Sequence, residues 1–270
     1  MRFAFFGDVV GRAGRKAVTD HVPALREQLK LDAVIVNGEN AAGGFGITEK
    51  TANEMFDCGV DVITLGNHSF DQAETLTYID REPRLLRPAN YPKGLFPGKG
   101  ANLYDVGGYQ LLVVNVQGRV FMDALDDPFV AVDTEIAAAP LGHVADAIII
   151  DIHAEATSEK MAMGHACDGK VSLVVGTHQH VPTADAQILP EGTAYQTDAG
   201  MCGDYDSVIG MEKDEPVRRF TTRRRSGRFE TAGGEGTACG VFVETGKDGL
   251  ALRVEPIRIG GRLSRSVPQI

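Results

Sequence analysis

Short apolar runs alternate along the chain with stretches whose apolar positions recur every three or four residues. Phe3 to Phe6 reads as a buried strand. Arg15 to Lys30 then sets Val18, Val22, Leu25 and Leu29 on one face, the spacing of a helix. Ala33 to Val36 predicts a second strand, Thr48 to Cys58 a second helix and Val60 to Leu65 a third strand. This β-α-β-α-β order predicts an α/β protein with a sheet covered by helices. Later strands are predicted at Gln110 to Val116, Ala147 to Ile152, Ser172 to Val175 and Thr193 to Thr197. A closing pair, Ala238 to Glu244 and Ala251 to Ile259, flanks the turn Lys247-Asp248-Gly249. Hairpin pairing beside crossovers predicts mixed sheets. With no internal repeat, low-complexity tract or linker, the expectation is one domain over residues 1–270.

Composition narrows the function. A formal net charge of −10 opposes stable nucleic-acid or membrane-surface binding, but leaves room for a small phosphorylated substrate whose site has its own local charge. Cys58, Cys167, Cys202 and Cys239 form no C-x-x-C pair, so reduced thiols fit better than disulfides or a structural zinc. The N-terminal apolar run is too short for a signal peptide, and no stretch approaches the roughly 20 apolar residues of a membrane span. A cytoplasmic protein is expected. Homo-oligomer formation is left open by the sequence.

The chemistry lies in where metal-capable residues fall. Asp8 follows the first strand, Glu39 and Asn40 the second, and Asn67 and His68 the third. His153 ends the run Ile148 to Ile152, and His178 and His180 follow Leu173 to Gly176. Strand ends are where α/β sheets build their sites. His178-Gln179-His180 is expected to continue its strand in extended form, turning both imidazoles to one side. Asp8, Glu39, Asn40, Asn67, His153, His178 and His180 make seven ligands, too many for one tetrahedral ion. They suit two ions about 3.5–4 Å apart that share a carboxylate, clamp a phosphate and activate a water between them. Oxygen and imidazole donors without thiolate favour iron or manganese, with zinc compatible. His68, next to the ligand Asn67, is expected at the rim, where it would protonate a leaving oxygen. Asp71 would either orient His68 or cap a following helix.

Gly7-Asp8, Gly66-Asn67-His68 and Gly176-Thr177-His178-Gln179-His180 resemble, in order, the metal-binding segments of the calcineurin-like metallophosphoesterases. The chain is still more similar to one branch, the YmdB-type phosphodiesterases. The similarity runs through Gly7-Asp8-Val9-Val10-Gly11, Asn37 to Gly44, His153 to Lys160 and Thr197 to Met201. It implies a four-layer α/β/β/α sandwich with two mixed sheets. It assigns one metal to Asp8, Glu39, Asn40 and His180, and the other to Glu39, Asn67, His153 and His178. Glu39 would bridge, and His68 would donate the proton. The chain departs from the wider superfamily where Asp8-Val9-Val10 replaces Asp-x-His and where Glu39 replaces a bridging Asp. The resemblance further implies phosphodiester substrates, including 2′,3′-cyclic nucleotides, with attack by a hydroxide held between the metals. A phosphomonoesterase or nucleotidase on the same metals, and a regulatory protein that binds a phosphorylated ligand, are the competing readings.

Three other segments bear on the site. Arg218, Arg219, Arg223, Arg224, Arg225 and Arg228 read first as a solvated loop or subunit contact, and second as a guide for a phosphate-bearing substrate. Gly43-Gly44-Phe45-Gly46 reads as a mobile rim over the site or as a tight turn. His21, His143 and His165 lack partners at ligand spacing and are expected to be structural. Gly7, Gly11 and Gly14 do not form G-x-G-x-x-G, which excludes a dinucleotide fingerprint.

Overall fold

The computed structural model describes residues 1–270. The first sheet grows from β1 (Arg2–Phe6), β2 (Ala33–Asn37), β3 (Val62–Thr64) and β4 (Leu85–Leu86), which run parallel. Helices α1 (Gly11–Gln28) and α2 (Glu49–Asp57) make the first two crossovers, and a single turn, α3 (Thr75–Tyr78), lies on the third. The second sheet contains β5 (Ala101–Val106), β6 (Tyr109–Gln117), β7 (Ala147–His153), β8 (Leu173–Thr177), β9 (Gln187–Ile188) and β10 (Ala194–Gln196). Its crossover helices are α4 (Pro128–Ala138) and α5 (Thr157–Ala166). After α6 (Asp214–Thr222), the hairpin β11 (Ala238–Thr245) and β12 (Ala251–Ile259) returns to the first sheet. The strand orders are β12-β11-β1-β2-β3-β4 and β5-β6-β7-β8-β10-β9, and both sheets mix parallel with antiparallel pairs.

Period-two alternation produces the four layers. Along β1, Phe3 and Phe5 enter the core between the sheets, while Ala4 and Phe6 face α1 and α2. Along β7, Ala147 and Ile149 join the inter-sheet core, and Ile148, Ile150 and Ile152 pack with Val132 of α4 and Met163 of α5. An α/β/β/α sandwich results. No helix is long and apolar enough to cross a membrane.

Element ends differ from the sequence reading in instructive ways. The first helix begins at Gly11 rather than Arg15. The second begins at Glu49, because Thr48 and Thr51 bond reciprocally as an N-terminal capping box. Helix α4, which the apolar spacing does not predict, is capped by Asp127, whose carboxylate accepts the Phe129 N–H at 2.9 Å, with Pro128 at the first helical position. His178-Gln179-His180 is not extended. The strand stops at Thr177, and both histidines take left-handed backbone angles, φ 99° at His178 and 65° at His180. The two imidazoles reach one side through these kinks, not through strand geometry.

Candidate metal centre

The parallel strands β1, β2, β3, β7 and β8 end at the same edge of the sandwich and bring Asp8, Glu39, Asn67, His153 and His178 together. Asp8, Glu39 and His153 are all buried there. Two groups of ligand atoms form, Asp8 with Glu39 and His180, and Glu39 with His153 and His178; within each, the atoms lie within 4.8 Å of one another. Glu39 belongs to both. Gly66 makes room for this meeting, since a Cβ there would stand 2.4 Å from Glu39 Oε2 and 2.3 Å from the His153 ring.

The donors fit metal ions. His153 Nε2 lies 3.1 Å from Glu39 Oε1, 2.9 Å from Asn67 Oδ1 and 3.1 Å from His178 Nδ1. One imidazole N–H can satisfy only one of these acceptors well, whereas a cation among them satisfies all. The outward nitrogen of each histidine is already engaged. His153 Nδ1 meets Thr177 Oγ1 at 2.9 Å, His178 Nε2 meets Glu155 Oε2 at 3.1 Å, and His180 Nδ1 meets the Ile209 carbonyl at 2.8 Å. Such outer partners fix the ring and its tautomer, leaving the inward nitrogen free to ligate. Asn40 stands between the groups with Nδ2 3.1 Å from Glu39 Oε1 and 3.2 Å from His180 Nε2. Ligation through its oxygen requires the amide to turn over, an exchange of two atoms of similar shape.

Charge is balanced within the cluster. Burial works against a charged His153, but Glu39, with Asp8 and Asp151 behind it, lifts that imidazole to about 9. Burial likewise opposes the Glu39 carboxylate, and His153 outweighs it, holding Glu39 down to about 2. Burial and the neighbouring His153 push His178 down to about 3, so that ring is neutral. Burial raises Asp8 against the pull of His180 and His153.

The left-handed kinks are held from outside. Both Asp8 oxygens accept the His178 backbone N–H, at 3.2 and 3.1 Å, and Asp198 Oδ2 accepts that of Gln179 at 3.1 Å. Asp198 also pairs at 2.7 Å with Lys160, whose side chain is wholly buried in α5. Behind the site the buried Asp151 accepts from Thr177 at 2.7 Å, Thr64 at 2.6 Å and Asn37 at 3.0 Å, joining the two sheets. Glu155, Lys160 and Asp151 belong to runs that the sequence singled out, but spacing could not tie them to their distant partners.

His68 lies at the rim, with Nδ1 2.8 Å from Asp71 Oδ2 and its ring edge-on to Phe45. Residues 43–46 are both turn and rim. Gly43, Gly44 and Gly46 take positive φ, Ala42 N–H bonds the Gly46 carbonyl, and the Gln72 amide holds the Phe45 carbonyl at 2.7 Å. A cleft of about 260 Å³ opens from the metal-capable residues. Gly44 and Phe45, from the segment read as a rim, line it with Val208, Ile209, Met211, Pro216, Phe220 and Phe229, and no pattern in the sequence ties Val208, Ile209, Met211 or Pro216 to the site. The arginine-rich stretch thus begins as helix α6 beside the cleft, with Arg218, Arg224 and Arg225 exposed. His21, His143 and His165 belong to neither ligand group.

Against known proteins, the family model for YmdB-like protein matches residues 4–257. The chain belongs to the YmdB-like family. That family lies within the calcineurin-like metallophosphoesterase superfamily. The chain is 49% identical over 244 residues, 90% of its length and 91% of the relative's, to the 2′,3′-cyclic-nucleotide 2′-phosphodiesterase of Bacillus subtilis. Among solved structures it is similar to a hypothetical protein from Thermus thermophilus, at 43% identity and TM-score 0.90, covering 97% of this chain and 100% of that one. It is also similar to a novel phosphatase from Mycoplasma pneumoniae, at 34% identity and TM-score 0.89, covering 96% of this chain and 93% of that one.

Proposed function

We propose that residues 1–270 form one metallophosphoesterase domain that hydrolyses 2′,3′-cyclic nucleotides at a centre of two metal ions. The observation that carries the reading is Glu39, whose carboxylate belongs to two ligand groups at once. One ion would be held by Asp8, Glu39, Asn40 and His180, and the other by Glu39, Asn67, His153 and His178. The absence of thiolate favours iron or manganese, with zinc compatible. When bound, such a pair supplies positive charge for the phosphate oxygens and lowers the pKa of an attacking water. The activity named for the Bacillus relative supports a cyclic diester as substrate.

In hydrolysis the water oxygen adds to phosphorus, the bond from phosphorus to O2′ breaks, and O2′ takes a proton, leaving the 3′-nucleotide. His68 is suited to give that proton. Asp71 engages its Nδ1, so Nε2 is the nitrogen left for the departing oxygen. The backbone at His68 is fixed by Glu39 Oε2, which accepts the His68 N–H at 3.1 Å, and by the adjacent Asn67, whose Oδ1 meets His153 Nε2.

The test is to load the protein with iron or manganese and offer 2′,3′-cyclic AMP, a chromogenic diester and a monoester in parallel. Metal-dependent release of 3′-AMP supports the reading. Cleavage of the monoester alone makes the protein a phosphomonoesterase. Tight ligand binding by the metal-loaded protein without cleavage makes it a binding protein.

A further inference from the structure

The cleft has two chemically different ends. Glu39, Asn40, His68, His178 and His180 form one. At the other, no side chain carries a charge or a strong hydrogen-bonding group, and Val208, Ile209, Met211, Pro216, Phe220 and Phe229 supply the surface. Pro216 and Phe220 are one turn apart on α6 and share its cleft-facing side. Phe220 is 84% exposed, an unusual state for a large aromatic side chain that lines a site.

Its neighbour is held rigidly. The Arg219 guanidinium lies 3.9 Å from the Phe229 ring centroid. Arg219 itself donates to Glu215 at 2.7 Å and to the Gly227 carbonyl at 2.8 Å, and Ser226 donates to Glu215 at 2.6 Å. These contacts fold the segment after α6 back against the helix and hold Phe229 in the lining of the cleft that Phe220 also lines. One cleft therefore joins a phosphate-binding end to an aromatic wall, and a nucleotide joins phosphate to a flat heterocycle through one ribose.

Resting on the cyclic-nucleotide reading, we propose that Phe220, with Phe229 in the same lining, is the wall on which the nucleotide base stacks. The wall offers a ring face and no edge donors or acceptors. It therefore accepts every base, and favours purines over pyrimidines by their larger stacking area.

The chain has no tryptophan, so Phe220→Trp places a lone fluorophore at the wall. Titrating 3′-AMP into the metal-loaded variant is expected to change its emission saturably, whereas 1-O-methylribose 3-phosphate, which has the same phosphate and no base, leaves it unchanged. In Phe220→Ala, the kcat/KM preference for 2′,3′-cyclic AMP over the base-free cyclic ester is expected to fall roughly 5- to 150-fold, carried by KM, as for loss of a stacking aromatic. An unchanged preference, or equal emission changes with and without a base, overturns the proposal. If the wild-type protein cleaves no cyclic nucleotide, the functional reading falls, and the fluorescence titration alone still decides the stacking wall.

Discussion

His68 and Asp71 form a hydrogen-bonded pair, Nδ1 to Oδ2 at 2.8 Å, at the lip of the cleft and outside both ligand groups. The pairing leaves a single imidazole nitrogen free and sets its direction. His68→Ala is expected to lower kcat roughly 10²–10⁴-fold, the range for losing a general acid, with metal content by elemental analysis unchanged. Asp71→Asn is expected to lower kcat by roughly 10–100-fold, as for loss of a partner that orients a functional imidazole, with metal content unchanged. Full activity in His68→Ala would remove it from the chemistry.

Metal uptake should be read out in protons. His153, lifted to about 9, carries its proton at pH 7 in the metal-free protein, yet must give up Nε2 to ligate. Adding metal at pH 7 in weak buffer is expected to release roughly one proton per centre, and apparent affinity should rise as pH climbs towards 9. In the metal-free protein the His153–Glu39 pair contributes stability fully between the unfolded values of 4.5 for the glutamate and 6.5 for the histidine; the contribution is lost as pH rises through about 9 and as it falls through about 2. Metal uptake without proton release would contradict this charge assignment.

Lys160 and Asp198 form a buried ion pair whose acid also secures the kinked backbone at Gln179. Lys160→Met strands that carboxylate without its cation, and a loss of about 3–5 kcal/mol in unfolding free energy is expected. Lys160→Met with Asp198→Asn should regain part of the stability, but not the metal affinity, because the His178 and His180 loop remains loosened. Denaturant titration and metal competition separate the two effects.

Ile209 sits at φ 49° beside Gly210 at φ 93°, in a two-residue turn closed by mutual bonds of Val208 and Met211 at 2.9 and 3.0 Å. Such turns favour Asn followed by Gly, and a β-branched residue there is strained. Ile209→Asn is expected to stabilise the protein by about 1 kcal/mol while weakening nucleotide binding through the loss of an apolar wall residue. Thermal melts and KM for 2′,3′-cyclic AMP would show the two moving in opposite senses.

The sequence exposed those parts of the site whose signals are local. Asp8, Glu39, Asn67 and His153 each follow an apolar run, and such a run ends where a strand emerges from the core. The kinks at His178 and His180 left no local mark, because Asp8 and Asp198 stabilise them from far along the chain. The aromatic wall was hidden differently. Phe220 lies within an arginine-rich stretch and Phe229 directly after it, where charge dominates the pattern, and the Arg219 guanidinium there lies over the Phe229 ring. Strands β4 and β9, with two residues each, are too short for any periodicity to register. By contrast, α4 has a local signal of its own in Asp127-Pro128, a capping carboxylate followed by a proline at the first helical position.

Strand β1 lies between β2 and β11, so its two neighbours come from opposite ends of the chain. On the ribosome, residues 2–6 can pair with β2 early but wait for residues 238–245 before their second edge is covered. Asp8 hangs from that half-covered strand, and its partner His178 N–H is likewise made late. The frame of the metal centre is therefore complete only when the last hairpin closes the sheet, and a chain cut short before β11 would carry all seven ligands without that frame to hold them.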